Sequence, residues 1–218
     1  MSEAHENSRL AELVINHYQN TYEVTYELWR ARNRLFPTLA GIAGAGALLA
    51  FRVPGAEPLF IGLLGSLLRL DPAQQTQLQS SFPFQILQTV ILVVVFHLML
   101  DLYRHTLDIA RSYSYLAGLE AEIRQFAGFP EKSVAFTRED RFYQTHRPLG
   151  LGGGIRWVYT LVLGLLLAIF LYARIWDDLH QGNWLFMVVN IAIALPTLFY
   201  FVAYAFPTLG MKRIPKKP

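Results

Sequence analysis

The sequence contains no cysteine. Disulfide bonds and thiol chemistry are therefore excluded, and so are zinc sites with cysteine ligands. Charged residues are also scarce, because they make up 16% of the chain against about 25% in an average soluble domain. The deficit is concentrated in four apolar blocks, and this pattern predicts a membrane protein.

Motifs of the common enzyme classes are missing as well. The chain has no H-E-x-x-H, no G-x-S-x-G and no G-x-x-x-x-G-K-S/T sequence. The glycines from Gly150 to Gly154 follow no predicted strand, so they indicate a linker rather than a phosphate-binding loop. The polar first 34 residues predict no cleavable signal peptide. We therefore expect a non-enzymatic protein without a cofactor.

The four apolar blocks predict an all-α, polytopic membrane protein with four transmembrane helices, at residues 35–51, 84–100, 157–173 and 184–206. Residues 59–70 are apolar but too short to span, so an interfacial or re-entrant helix that stops near Asp71 and Pro72 is expected there. The predicted divisions are an N-terminal cytoplasmic helix, a first hairpin, a cytoplasmic helix with a connector, a second hairpin and a basic tail, at 1–34, 35–100, 101–154, 155–206 and 207–218.

Two helices are expected to extend from the membrane into water. No strong helix breaker interrupts residues 84–126, which at about 1.5 Å per residue would reach roughly 65 Å, about twice a bilayer core. Residues 9–34 carry apolar and aromatic side chains at spacings of three and four. The two stripes are predicted to pack as an antiparallel stalk, with packing residues Tyr18, Tyr22, Trp29, Ile109, Tyr113 and Leu116.

The distribution of Lys and Arg predicts the orientation. The N-terminal segment carries four of them, the central segment eight and the tail four, whereas the two remaining loops carry two and one. The positive-inside rule then places both termini in the cytoplasm, with an expected location in a bacterial inner membrane. Arg30, Arg32 and Arg34 adjoin a span and are interpreted as headgroup anchors, so no nucleic-acid partner is expected.

Small and polar residues within the spans indicate helix contacts. Gly41, Gly44 and Gly46 would let another helix approach closely, either from the same chain or from another subunit, or face a pore. Asn190 and Gln88 are expected to form hydrogen bonds between helices. No Asp, Glu, Lys or Arg lies deep within a predicted span, which disfavours an ion-coupled transporter.

One row of ionisable residues is a weak candidate site. His97, Asp101 and His105 lie along one face of the predicted helix. Such a row can bind a divalent metal or relay protons, but ligands four apart converge on one ion only if another segment helps. Local pairing and contact between helices are the alternative interpretations, and no metal is expected.

The connector and the overall layout leave alternatives open. Residues 133–145 fit a short hairpin around Arg138 to Asp140 or a helix start at Thr137. The order of soluble helix, two spans and soluble helix over residues 9–126 is similar, in layout only, to small membrane effectors of bacterial defence systems, from which the second hairpin departs. The leading hypothesis is a self-assembling membrane protein that engages a partner through its cytoplasmic helices, and the alternative is a channel or membrane-disrupting effector gated through the stalk.

Overall fold

A computed structural model describes residues 3–51, 56–81, 84–130, 133, 135–137, 151–182 and 184–208. Within these residues the chain is all-α, as predicted, and forms six helices: α1 (Glu3–Ala50), α2 (Ala56–Leu68), α3 (Pro72–Ser81), α4 (Phe84–Phe126), α5 (Leu151–Gln181) and α6 (Trp184–Thr208). Residues 138–150, which contain most of the predicted hairpin or of the helix start predicted at Thr137, and the basic residues of the tail lie outside the described residues.

Three of these helices have the length and composition of membrane spans. They are Phe84–Phe126, Trp157–His180 and Trp184–Phe206. The apolar part of α1 begins after Arg34, and α1 ends at Ala50. The length of this apolar part is just under the roughly 17 residues of the shortest spans. The membrane character predicted from composition is thus supported by three long apolar helices.

The first helix is longer than expected. The predicted cytoplasmic helix and first span are one continuous helix, α1, which places Pro37 in its interior rather than in a first turn. An interior proline removes one backbone hydrogen bond. Prolines of this kind are tolerated in membrane helices because neighbouring groups satisfy the freed carbonyl.

The loop between the first two predicted spans contains two helices. The short apolar helix is α2, and the polar residues after it, which carried no prediction, form α3. Asp71 and Pro72 follow α2 and also begin α3. Asp71 Oδ1 accepts a hydrogen bond from the Gln74 N–H at 2.8 Å, and Gln74 Oε1 accepts one from the Asp71 N–H at 3.0 Å. This reciprocal pair is a capping box with proline at the first helical position.

The later helices have clear ends. The structure confirms one helix over Phe84–Phe126, and Gly128 follows it with a left-handed φ of 63°. The predicted linker glycines Gly152, Gly153 and Gly154 belong to the first turns of α5 instead. That helix also continues past the predicted end at Ala173 and stops only before Gly182, whose φ is 67°.

The chain divides into two compact units. Unit 1 contains Met1–Arg34 and Leu102–Ile155, and unit 2 contains Leu35–Asp101 and Arg156–Pro218. In unit 1, buried Leu102, Ile109, Leu116 and Ile123 follow the apolar stripe of α4. Direct contacts join α1 to α4 beside this stripe. The Tyr18 hydroxyl donates to Glu120 Oε1 at 3.0 Å, and His17 Nε2 lies 2.8 Å from the Tyr115 hydroxyl.

One arginine organises the chain after α4. Arg124 Nη1 donates to the carbonyls of Ser133 and Ala135, both at 2.7 Å, and its Nη2 donates to the carbonyl of Pro130 at 3.1 Å. The Phe136 ring then packs edge-on to Tyr18, with centroids 5.9 Å apart. A single guanidinium therefore holds three carbonyls of this short segment against unit 1.

Unit 2 has an apolar core shared by four helices. Its fully buried side chains recur at helical spacing on each of them: Leu39 and Ala43 on α1, Leu92, Val95 and Met99 on α4, Leu163, Leu167 and Phe170 on α5, and Ala194 on α6. At one end of these stripes the core turns polar, and that end contains the candidate site.

Candidate functional site: a buried polar cluster

A cluster of polar side chains continues the apolar core of unit 2. On α5 the buried positions are Thr160, Leu163, Leu167 and Phe170, and the same spacing of three and four reaches Arg174 and Asp178. On α4 the stripe that contains Leu92 begins at Gln85 and Gln88. We call the seven residues Gln85, Gln88, Thr89, Arg174, Asp177, Asp178 and Asn190 the polar cluster.

An ion pair lies at the centre of the polar cluster. Arg174 Nη2 is 2.9 Å from Asp178 Oδ1, and both side chains are fully buried. Arg174 Nη1 lies 3.5 Å from Oδ2 of Asp177, whose side chain is 11% exposed. One guanidinium thus faces two carboxylates, and its distance to Asp178 is shorter than its distance to Asp177.

The guanidinium also ties α5 to α4. Arg174 Nη1 donates to Gln88 Oε1 at 2.8 Å, and Nη2 lies 3.4 Å from both the Gln85 carbonyl and the Thr89 hydroxyl. Gln88 in turn donates from Nε2 to the carbonyl of Leu49 at 3.1 Å. Since Leu49 is in the last turn of α1, where carbonyls lack partners within the helix, Gln88 caps that helix end.

The carboxylate of Asp178 connects α5 to α6. Asn190 Nδ2 donates to Asp178 Oδ2 at 2.6 Å, and Gln85 Nε2 donates to Asp178 Oδ1 at 3.4 Å. Within the described part of the chain, Arg174 Nε and Asn190 Oδ1 are buried without a hydrogen-bond partner. One donor and one acceptor of the polar cluster therefore keep capacity for a further polar group.

This geometry decides what the polar cluster can do. Buried charges are stable only when they are paired and hydrogen-bonded. Here the paired charges of α5 contact α4 and α6 directly and are connected to α1 through Gln88. None of the seven side chains is a thiol or an imidazole. The arrangement is suited to holding four helix ends together, and ionisable groups inside membrane bundles are also the usual sites of ion pathways.

Sequence reasoning missed Arg174 and Asp178. It placed both in the loop after the third span, which is wrong because α5 continues as a helix to Gln181 and both side chains are buried in unit 2. The absence of a charged residue deep within a span stays a prediction. The missed signal was present in the spacing. Arg174 and Asp178 lie seven residues after Leu167 and Leu171, on the same helical face.

The three glycines proposed for helix packing have different environments. A Cβ atom on Gly46 would lie 2.7 Å from Phe170 Cε2 and 3.0 Å from Ile91 Cγ2, so α1 approaches α4 and α5 closely at that point. A Cβ atom on Gly41 or Gly44 would meet nothing within 4 Å. The role of Gly41 and Gly44 in a subunit interface or pore stays a prediction.

The histidine row is not gathered into a metal site. His97 is exposed, and its Nδ1 lies 3.0 Å from the carbonyl of Val93 on its own helix. Asp101 and His105 are partly buried and have contacts of their own. Among the described residues, no three or more His, Cys, Asp or Glu side chains are placed to hold a metal ion.

The residues predicted to pack in the stalk are not all buried. Ile109 and Leu116 are buried, and Tyr18 and Tyr22 are partly buried. Tyr113 and Trp29 are exposed, and Trp29 stacks on Tyr26 with centroids 6.1 Å apart. The stalk itself stays a prediction.

No family model, curated protein or solved structure matches the chain.

Proposed function

We propose that the chain is a four-span integral membrane protein of a bacterial inner membrane, with both termini in the cytoplasm. The span that is added to the three long apolar helices is the apolar part of α1. It is supported by the packing of Leu39, Ala43 and Gly46 in the same core as the three long apolar helices. A helix that shares a core with membrane spans is exposed to the same solvent, which here is lipid.

The orientation is supported by the positive-inside count. Arg174 is buried in unit 2, so it no longer counts as a loop charge and the excess of Lys and Arg on the cytoplasmic side becomes larger. Because the chain has no cysteine, single-cysteine variants can be labelled without background. An impermeant maleimide added to intact cells should label Gln74→Cys, and should label Ser114→Cys only after permeabilisation. The opposite pattern would refute the orientation.

We propose further that the protein is non-enzymatic and self-assembles through its cytoplasmic helices, residues 9–34 and 101–126, which form the stalk. The observation that carries this proposal is the set of large apolar and aromatic side chains exposed on these helices outside the long apolar segments: Leu10, Leu13, Val24, Tyr26, Trp29, Tyr113, Tyr115 and Phe126. Apolar surface that faces water favours association, and a second copy of the chain offers the same surface in return.

The mass of the detergent-solubilised protein tests self-assembly. Leu13→Glu combined with Val24→Glu places charges on the exposed side of α1 and should shift the protein from oligomer to monomer in size-exclusion chromatography with light scattering. Asn20→Glu, an exposed polar position on the same helix, is the matched control and should not shift the mass. A wild-type protein that is monomeric at micromolar concentration would refute the proposal.

A second candidate function is a channel or membrane-disrupting effector gated through the stalk. It is favoured by the charged pair buried among the candidate spans, because such residues mark ion pathways in many membrane proteins. Reconstituted protein should then pass ions across liposomes, and Gly41→Leu or Gly44→Leu should change the flux. An assembled protein that conducts no ions would leave the self-assembling scaffold as the function.

A further inference from the structure

A second feature of unit 2 is an apolar groove near the end of α1. The groove has a volume of about 480 Å³ and lies between α1, α2 and α4. All of its lining side chains are apolar, and they include Ala45 and Leu49 of α1, Phe60 and Leu63 of α2, and Val90 and Val94 of α4. A site of this size and lining can take a molecule without polar groups.

The groove is continuous with the surface of a candidate span. Val90 and Val94 lie in the apolar half of α4 and are exposed. Ala45 and Leu48 on the α1 side are exposed as well. Where these side chains face lipid, the medium that enters the groove is hydrocarbon, because an empty groove would lose the dispersion contacts of its lining.

Helix α2 forms the third wall of the groove and has an exposed apolar surface of its own. Leu59, Leu63 and Leu67 are spaced four residues apart and are 71%, 64% and 78% exposed. The opposite side of α2 packs on α3, where a Cβ atom on Gly65 would lie 2.7 Å from the Gln75 side chain. With 13 residues, α2 is too short to span, so we expect its exposed leucine face to contact hydrocarbon without crossing the membrane.

We propose that this groove holds one acyl chain of a bilayer phospholipid. A hydrocarbon chain needs no polar partner, which matches a groove whose lining side chains are all apolar and which is open along the exposed side chains of Val90 and Val94 on a candidate span. The occupant is retained longer than the surrounding lipid because three helices contact it. The inference requires only that α4 lies in a bilayer, so it stands apart from the proposed self-assembly.

A photoreactive phospholipid tests the occupant. The full-length protein is reconstituted in vesicles of phosphatidylcholine that carries a diazirine at mid-chain, irradiated, and mapped by peptide mass spectrometry. Labelling should concentrate on the groove residues Leu49 and Ile91, and should be about tenfold lower on Leu195 and Phe199, two exposed residues of α6.

Variants separate the groove from general lipid contact. Ala45→Phe fills the groove and should lower labelling of Ile91 about tenfold. Leu195→Phe, at a lipid-facing position, is the control and should leave the labelling unchanged. Leu63→Trp fills the groove from the exposed side of α2, so it gives the same result if Ala45→Phe fails to fold.

Three results would overturn the proposal. Labelling spread evenly over the exposed residues of α4 and α6 would mean that the groove retains no lipid. Disulfide cross-links between copies that carry Leu63→Cys would mean that a second copy fills it. Labelling by a diazirine fatty acid but not by the phospholipid would identify a free fatty acid as the ligand.

Discussion

Arg174 and Asp178 form a 2.9 Å ion pair on successive turns of α5, and neither side chain is exposed. Transferring two charges from water into an apolar core is costly, and the cost is offset only when both are paired and hydrogen-bonded. Here Gln88 accepts a hydrogen bond from the guanidinium, and Asn190 donates one to the carboxylate. The ion pair is therefore also the point at which three helices are joined.

Removing the guanidinium should destabilise unit 2. Arg174→Met leaves the carboxylate of Asp178 buried without its cation, and we expect a loss of about 3 kcal/mol in the free energy of unfolding. The measurement is thermal unfolding in detergent, followed by tryptophan fluorescence. Arg111→Met is the matched control, because the Arg111–Asp108 pair is exposed and its N–O distance is 3.6 Å, so its loss should have little effect.

A double variant separates a structural charge pair from a functional one. Arg174→Met combined with Asp178→Leu removes both charges and should recover most of the stability lost in the single variant. If ion flux through liposomes is lost while stability is recovered, the pair acts in conduction. A single variant as stable as the wild type would show that the two charges are not buried as described.

Replacing Gln88 by a side chain of similar size that has no polar atoms should destabilise the protein. Gln88→Leu removes the acceptor for Arg174 and the donor for the Leu49 carbonyl. A buried group left without its partner costs about 1–3 kcal/mol, so the melting temperature should fall by several degrees. Gln125→Leu, at an exposed glutamine of the same helix, is the comparison, and equal effects of the two substitutions would contradict the role of Gln88 as a cap.

The glycines of α1 should differ in their response to alanine. Gly46→Ala puts a methyl group 2.7 Å from the ring of Phe170, which is fully buried, so the added group must displace packed atoms. Overpacking of this kind costs about 1–3 kcal/mol. Gly41→Ala and Gly44→Ala meet open space, so they should keep or slightly raise the melting temperature.

Combining Phe170→Leu with Gly46→Ala tests whether the added methyl group is destabilising because it meets the Phe170 ring. The smaller side chain should restore part of the stability lost in Gly46→Ala, because it makes room for the added methyl group. If Gly46→Ala is as stable as Gly41→Ala in thermal unfolding, then α1 does not approach α5 at this point.

The contact between Tyr18 and Glu120 should stabilise unit 1. Tyr18→Phe removes the hydroxyl that donates to a carboxylate only 1% exposed, and a loss of about 1–3 kcal/mol is expected. Amide hydrogen exchange should then become faster around Glu120. Tyr26→Phe is the matched control, since Tyr26 is exposed and stacks on Trp29, and exchange rates that are equal in both variants would count against the contact.

The sequence predicts the helices where breakers and apolar runs agree. Residues 84–126 contain no strong breaker before Gly128, and the structure has one helix with those ends. The N-terminal boundary of the last span is likewise Trp184 in the structure. In both helices the ends are set by local chemistry, which a single sequence contains.

The polar cluster could not be predicted in this way. Hydropathy ends the predicted third span at Ala173, before the charged Arg174, but a charge does not break a helix, and α5 ends only before Gly182, whose φ is positive. Only tertiary packing shows that Arg174 is buried against Gln88 of another helix. The start of α3 was missed for a local reason, because Asp71 and Pro72 were interpreted only as a stop signal.

The hydrogen bond from Gln88 to the Leu49 carbonyl has a mechanical consequence. Sliding α1 along its axis by one turn, about 5.4 Å, would carry that carbonyl out of reach of the amide and leave Gln88 bound only to Arg174. Translation of α1 along its axis must therefore break this hydrogen bond first, so the Gln88 amide fixes the axial register of α1 against α4.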